Sequence, residues 1–224
     1  MSELTLAQRF EAVQARIHAA CARAGRNVSS VQLIAVSKRQ PLEALREAYA
    51  LGQRHFGENY AQELRDKHAA LSDLPGLRWH AIGPLQVKNA KYVAQAAHVF
   101  HALENVEVAQ ALNRRRTHDA LRCLVEVNVA GEGSKAGLSP DALPAFLAQA
   151  ANWPALTVVG LMAMPPLSDD AEASRPHFRA VATLAKQHGL TELSMGSTFD
   201  FEVAIEEGAT WVRVGTALFG ERLR

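Results

Sequence analysis

Apolar residues recur along this chain in two alternating rhythms, and the alternation predicts its architecture. Near the amino terminus Leu6, Phe10, Val13 and Ile17 fall at spacings of four, three and four. That is the buried stripe of an amphipathic helix, ending near Gly25, a residue suited to closing one. Short apolar runs follow near residues 31–36, 54–57, 77–82, 97–102, 122–129, 157–163, 192–196 and 210–215. They are predicted strands, and every gap between them carries a helical segment. Pro41 and Gly52 bracket the first intervening helix; Ser139 and Pro140 open a later one, with Leu143, Phe146, Leu147 and Ala150 as its buried stripe. Pro144 lies inside that stretch and reads either as a later helix start or as a kink.

Eight strand-then-helix units closing on themselves make an α/β fold of the (β/α)8 TIM-barrel type, here with an extra N-terminal helix and residues 1–224 as one domain. A doubly wound open sheet is the alternative. It is disfavoured because no G-x-G-x-x-G fingerprint follows the first predicted strand.

Composition excludes several classes. A formal charge of +1 with 21% charged residues argues against a dedicated nucleic-acid or acidic-membrane binder, and the Arg114–Arg116 triplet reads as a solvated helix face. Cys21 and Cys123 show no metal-ligand spacing and cannot build a disulfide framework, which together with the missing apolar leader points to a reducing, cytoplasmic setting. His98 and His101 lack a third ligand, so no metal is assigned.

A barrel collects its chemistry at the carboxyl ends of its strands. Lys38 closes the run Leu33-Ile34-Ala35-Val36-Ser37, where a desolvated amine becomes an imine-forming nucleophile. Strands seven and eight end in Ser194-Met195-Gly196-Ser197-Thr198 and Arg213-Val214-Gly215-Thr216, and the loops after these strands are the usual phosphate cradle. Ser197 and Thr198 precede a helix predicted from about Phe199 to Glu207, so hydroxyls and free N–H groups gather there. Ser197 with Asp200 also fits a capping box; both roles hold together if Asp200 points away from the anion. An amine facing a phosphate cradle suits pyridoxal 5′-phosphate. Arg213, two residues before Gly215 and so on the same face, is expected beside the ring nitrogen, where a donor-only group weakens the electron sink and disfavours transaminase-like chemistry.

Residues along nearly the whole chain resemble the pyridoxal-phosphate homeostasis (YggS/PROSC) family, single-domain relatives of the alanine racemase barrel. The resemblance is carried by Ala35-Val36-Ser37-Lys38, Phe56-Gly57-Glu58-Asn59-Tyr60, Trp79-His80 with Ile82-Gly83-Pro84-Leu85-Gln86, Ser134-Lys135 with Gly137, Gly160-Leu161-Met162, Ser194-Met195-Gly196, and Val212 through Gly220. It implies that Lys38 holds the cofactor as a Schiff base, that Thr198, Gly215 and Thr216 bind its phosphate with Ser197 nearby, and that Arg213 faces the pyridine nitrogen. Asn59, Met162 and His80 are implied as pocket residues.

Two stretches depart from the family pattern. Ser197 and Thr198 stand where Met-Ser is usual, which leaves open which hydroxyl meets phosphate, and Val87-Lys88-Asn89 replaces the usual order after Gln86.

The first functional expectation is a monomeric binding protein that stores, buffers or hands over pyridoxal phosphate, with apo-enzymes as transient partners and no catalytic residue of its own. The alternative is a weak amino-acid racemase using Tyr60 or His80. A Schiff-base aldolase is a third reading, with Glu58 and Glu126 as its strand-borne carboxylates.

Overall fold

Each predicted run becomes a strand, and the strands close on themselves. The computed structural model describes residues 4–131 and 136–220. Its strands are β1 (Gln32–Val36), β2 (His55–Glu58), β3 (Arg78–Ala81), β4 (Val99–Leu103), β5 (Leu121–Glu126), β6 (Leu156–Met162), β7 (Glu192–Ser194) and β8 (Trp211–Val214). They pair in sequence order, all parallel, and β8 returns to β1 with Leu33 opposite Val212 and Ala35 opposite Val214. Parallel neighbours require crossovers. These are α2 (Leu42–Ala50), α3 (Ala61–Ala70), α4 (Ala90–Ala96), α5 (Val106–Arg115), α6 (Leu143–Ala148), α7 (Arg175–Gln187) and α8 (Phe201–Glu206), followed by the single turn α9 (Thr216–Phe219).

The extra helix is α1 (Leu6–Arg23). Thr5 and Gln8 cap it reciprocally, and its stripe of Val13, Ile17, Ala20 and Cys21 is buried. It docks on α8, where Arg16 grips Glu202 at 2.6 and 2.9 Å and lies 4.3 Å over the Phe201 ring.

Pro144 is the second residue of α6, where a missing N–H costs no helical bond, so it marks a start and not a kink. β7 ends at Ser194, two residues earlier than its apolar run, because Gly196 turns the chain at φ +89° beside Phe201. A Cβ there would sit 2.8 Å from the Phe201 Cα. α8 starts at Phe201, two residues later than expected, and spans Phe201–Glu206. The arginine triplet is not a solvated face throughout: Arg116 is buried and donates to the carbonyls of Ala94, Ala97 and Asp119. These carbonyls lie at the end of α4 and in the loop before β5, where a cation is favoured over water when the chain closes.

Barrels of this kind usually fill their interior with branched apolar layers. Here a polar file crosses it. His55 on β2, His80 on β3 and His101 on β4 are hydrogen-bonded in series at 2.9 Å each, and all three rings stand 5.0–6.3 Å from the Trp211 ring on β8.

Candidate functional site

Lys38 follows β1 in a turn that the fold clamps from beneath. Ser37 donates its hydroxyl to Glu58 Oε1 at 2.6 Å, and the buried Lys67 ammonium donates to the Ser37 carbonyl, to Glu58 and to Glu63 at 2.6, 2.9 and 2.8 Å. Glu63 in turn accepts the Arg39 N–H at 2.5 Å, holding Arg39 in the left-handed region at φ +61°. Burial pushes the Glu58 carboxyl up to about 7, against the pull of Lys67 and the Ser37 hydroxyl. The turn carrying Lys38 thus rests on an ion cluster. Sequence reasoning did not single out Lys67 or Glu63, whose spacing is that of any helical i,i+4 pair.

At the carboxyl mouth of the barrel a cavity of about 240 Å3 is lined by Lys38, Asn59, Ser197, Thr198, Arg213, Gly215 and Thr216. Seven of the nine residues singled out from sequence are therefore brought together. His80 and Met162 are not: His80 is buried in the barrel bonding His55 and His101, and Met162 is buried in β6, while Ile82 and Met164, two residues along each strand line, reach the cavity instead. Sequence spacing could not separate these positions, because residues two apart share a face and only depth along the barrel distinguishes them. Ser134 and Lys135 lie outside the described residues.

The two hydroxyls after β7 are committed differently. Ser197 gives both its N–H and its hydroxyl to Asp200 Oδ1, at 2.7 and 3.0 Å, and Asp200 Oδ2 accepts from Ser174. Asp200 does not line the cavity. The expected box is half formed: the side chain of Asp200 reaches back to Ser197, but the Asp200 N–H bonds the Ser197 carbonyl and not its hydroxyl. The Thr198 hydroxyl has no such commitment among the described residues. Among the described residues, the N–H groups of Thr198, Phe199, Thr216 and Ala217 meet no carbonyl.

Arg213 is held on two sides, donating to Ser194 Oγ at 2.7 Å and to the Ala163 carbonyl at 3.1 Å. Burial pushes its guanidinium down to about 10, still protonated at neutral pH, with Glu126 and Asp200 opposing the shift. Glu126 is raised to about 7 by burial and by Glu104. Ser194 then contacts His101 Nδ1 at 2.8 Å, which continues the file through His80 to His55. If the Ser194 hydroxyl, already accepting from Arg213, turns its proton to His101 Nδ1, the ring protons of His101 and His80 fall on Nε2 and the file runs in one direction to His55. Both rings are held neutral, chiefly by burial.

These groups give a testable pH profile. Unfolded histidines bind protons from about pH 6.5 downward while buried His80 and His101 do not, so their contribution is full above that value and is lost as pH falls. Glu58 and Glu126 act oppositely: raised to about 7 from 4.5, they favour the folded state below 4.5, and that benefit disappears as pH rises through 7. The two sets offset each other between about pH 7.5 and 5. Glu126→Gln should uncover the histidine slope as a falling urea midpoint at the acid end, and a profile parallel to the parent's would contradict the assignment.

Comparison with known proteins identifies the family. The model of the alanine racemase N-terminal domain matches residues 9–223. A protein of Pseudomonas aeruginosa named pyridoxal phosphate homeostasis protein is 44% identical over 222 residues, covering 97% of this chain and 96% of its own. Its namesake in Aquifex aeolicus is 41% identical over 223 residues, covering 96% and 97%. Among solved structures, PipY of Synechococcus elongatus with PLP bound superposes with a TM-score of 0.83 at 37% identity, covering 96% of this chain and all of the other. Alanine racemase of Corynebacterium glutamicum shares the fold at a TM-score of 0.66 and 18% identity, covering 95% of this chain and 61% of the racemase. By fold, motif order and full-length similarity, the chain belongs to the pyridoxal phosphate homeostasis proteins of the alanine racemase N-terminal domain family.

Proposed function

We propose that this protein binds pyridoxal 5′-phosphate in the 240 Å3 cavity and serves its homeostasis by storing or handing over the cofactor, without robust catalysis of its own. The observation that carries the reading is the convergence of Lys38, the unclaimed N–H groups beside Thr198 and Thr216, and Arg213 on one cavity. The donor set fits the group: an amine for an aldehyde, hydroxyls and N–H groups for a phosphate, and a protonated guanidinium for an unprotonated ring nitrogen. Pyridoxal phosphate supplies an aldehyde that an amine captures reversibly with loss of water, and a dianion that anchors it. Lys38 provides the amine, its turn fixed by Ser37, Glu58 and Lys67. Thr198, Gly215 and Thr216 receive the phosphate, and Ser197 supports that turn through Asp200. Asn59 closes the wall beside Lys38. Arg213, held by Ser194 and Ala163, keeps the ring nitrogen unprotonated.

Two features favour a carrier over a racemase. Racemization needs an acid–base group on each face of the reacting carbon. Tyr60 and His80, the groups available for that role, do not line the cavity. The mouth is also ringed by exposed Met164, Leu167 and Phe199, which leaves bound cofactor reachable from solvent and from a transient apo-enzyme partner. In this reading residues 1–224 act as one barrel domain and as a monomer. The two buried, free cysteines accord with a cytoplasmic setting, and among the described residues no helix is long and apolar enough to cross a membrane.

Mixing loaded protein with an apo-enzyme should restore that enzyme's activity at the rate cofactor leaves this chain. Steady turnover of any amino acid by the loaded protein, absent in a Lys38→Ala control, would overturn the carrier reading.

A further inference from the structure

The opposite, amino-terminal mouth of the barrel opens into a second cavity, of about 520 Å3, that the cofactor reading does not use. Strand starts build it. His55 opens β2 beside Arg78, which opens β3 in register with it; Arg122 enters from β5, Trp211 from β8, and His98 immediately precedes β4. Three arginines, Arg78, Arg116 and Arg122, line this space against a single acid, Asp119.

Their commitments differ. Arg122 pairs with Glu192, which also accepts the Trp211 indole N–H at 2.9 Å. Arg116 spends Nε and Nη1 on the carbonyls of Ala94, Ala97 and Asp119. The Arg78 guanidinium has no hydrogen bond or ion pair among the described residues, although the chain places it at the rim of a concave site.

Two imidazoles add oriented donors. His98 Nδ1 accepts the Trp79 N–H at 3.1 Å, which leaves its ring proton on Nε2. His55 Nδ1 is hydrogen-bonded to His80 Nε2 at the end of the barrel file, and with the file running from Ser194 toward His55 its ring proton falls on Nε2 too. His98 is pushed down to about 4 by burial, then by Arg78 and Arg116, and His55 is lowered by burial, then by Arg78 and Arg122. The neighbouring charge is therefore positive where these rings sit.

N–H donors around an unpaired guanidinium, with little acid to balance them, are the chemistry that receives an oxyanion. A cation is disfavoured, because among the described residues no group of three His, Cys, Asp or Glu is arranged to hold a metal. The Trp211 and His55 rings, 5.3 Å apart, add an aromatic wall. We propose that this cavity is a second binding site, taking phosphate or the phosphate of a small monoester, anchored by Arg78 with the N–H groups of His98 and His55. The site stands independently of cofactor binding at the other mouth.

The test is NMR titration of the His55 and His98 ring resonances with sodium phosphate near pH ~7.5, with chloride holding ionic strength constant. Saturable shifts are expected, with affinity weakened about tenfold or more in Arg78→Gln and partly kept in Arg78→Lys. Unsaturable shifts, or the same affinity in Arg78→Gln, would overturn the site. The Lys38→Ala variant should bind phosphate here as the parent does, so failure of the cofactor reading leaves this result standing. Phenyl phosphate distinguishes the sources: tighter binding than inorganic phosphate assigns a monoester, and equal binding assigns the free ion.

Discussion

Replacing Lys38 by alanine is expected to abolish covalent capture of pyridoxal phosphate while leaving the barrel folded. After borohydride treatment the parent should retain the cofactor on the peptide containing Lys38, and the variant should release all of it. The remaining donors, Thr198, Thr216 and Arg213, would still attract the phosphate and ring, so weak non-covalent binding persists. Lys38 is only half-buried on a loop, and its truncation should change apo-protein stability by less than about 1 kcal/mol. In the presence of cofactor the gap between parent and variant widens, because a ligand that binds only the folded state stabilises it in proportion to its affinity. Covalent attachment that survives in the variant would remove Lys38 from its role, and a large loss of apo stability would show that the turn depends on this side chain.

The second large effect lies beneath that turn. Lys67→Met keeps the aliphatic stem but strips the ammonium from Ser37, Glu58 and Glu63. Removing one partner of a buried pair leaves an uncompensated charge, and about 3–5 kcal/mol should be lost at pH ~8. Glu58 has an escape: already raised to about 7, it rises further without Lys67 and takes a proton as pH falls. A carboxyl whose folded pKa exceeds its unfolded value favours folding at low pH and loses that benefit as pH rises, so the deficit should shrink toward pH ~5.5. Urea denaturation at the two pH values measures it. Adding Glu58→Gln should recover much of the loss, since no buried anion then remains. A deficit equal at both pH values would mean that packing, and not charge, is what Lys67 supplies. The same variant should also weaken cofactor capture, because the Ser37 carbonyl that precedes Lys38 loses its anchor.

Much of the site was readable in one dimension because the barrel converts sequence order into position. Residues that end strands arrive at one mouth, so Lys38, Ser197, Thr198, Arg213, Gly215 and Thr216 could be grouped from their places after apolar runs, while Asn59 joined them only through the family resemblance. Depth along the barrel was not readable in the same way. His80 and Met162 lie on the expected strands but below the cavity, and Trp79-His80 as a motif gave no sign that the ring bonds two other histidines. Nothing in the linear order marks Lys67, and only folding shows it reaching under the turn from α3.

The amino-acid order by itself determined the alternation of strand and helix, the closing of eight parallel units, the capped leading helix and the amine at the first strand's end. Those follow from periodicity, turn chemistry and the requirement that parallel strands be joined by crossovers, all of which are local. Tertiary structure alone decided which polar residues meet. The histidine file, the Lys67 cluster and the basic cavity at the amino-terminal mouth join residues far apart in the chain, as His101 with Ser194 and His55 with Trp211. Contacts of that kind depend on register and depth around a closed sheet, and a neutral or charged state then depends on how far each contact lies from water.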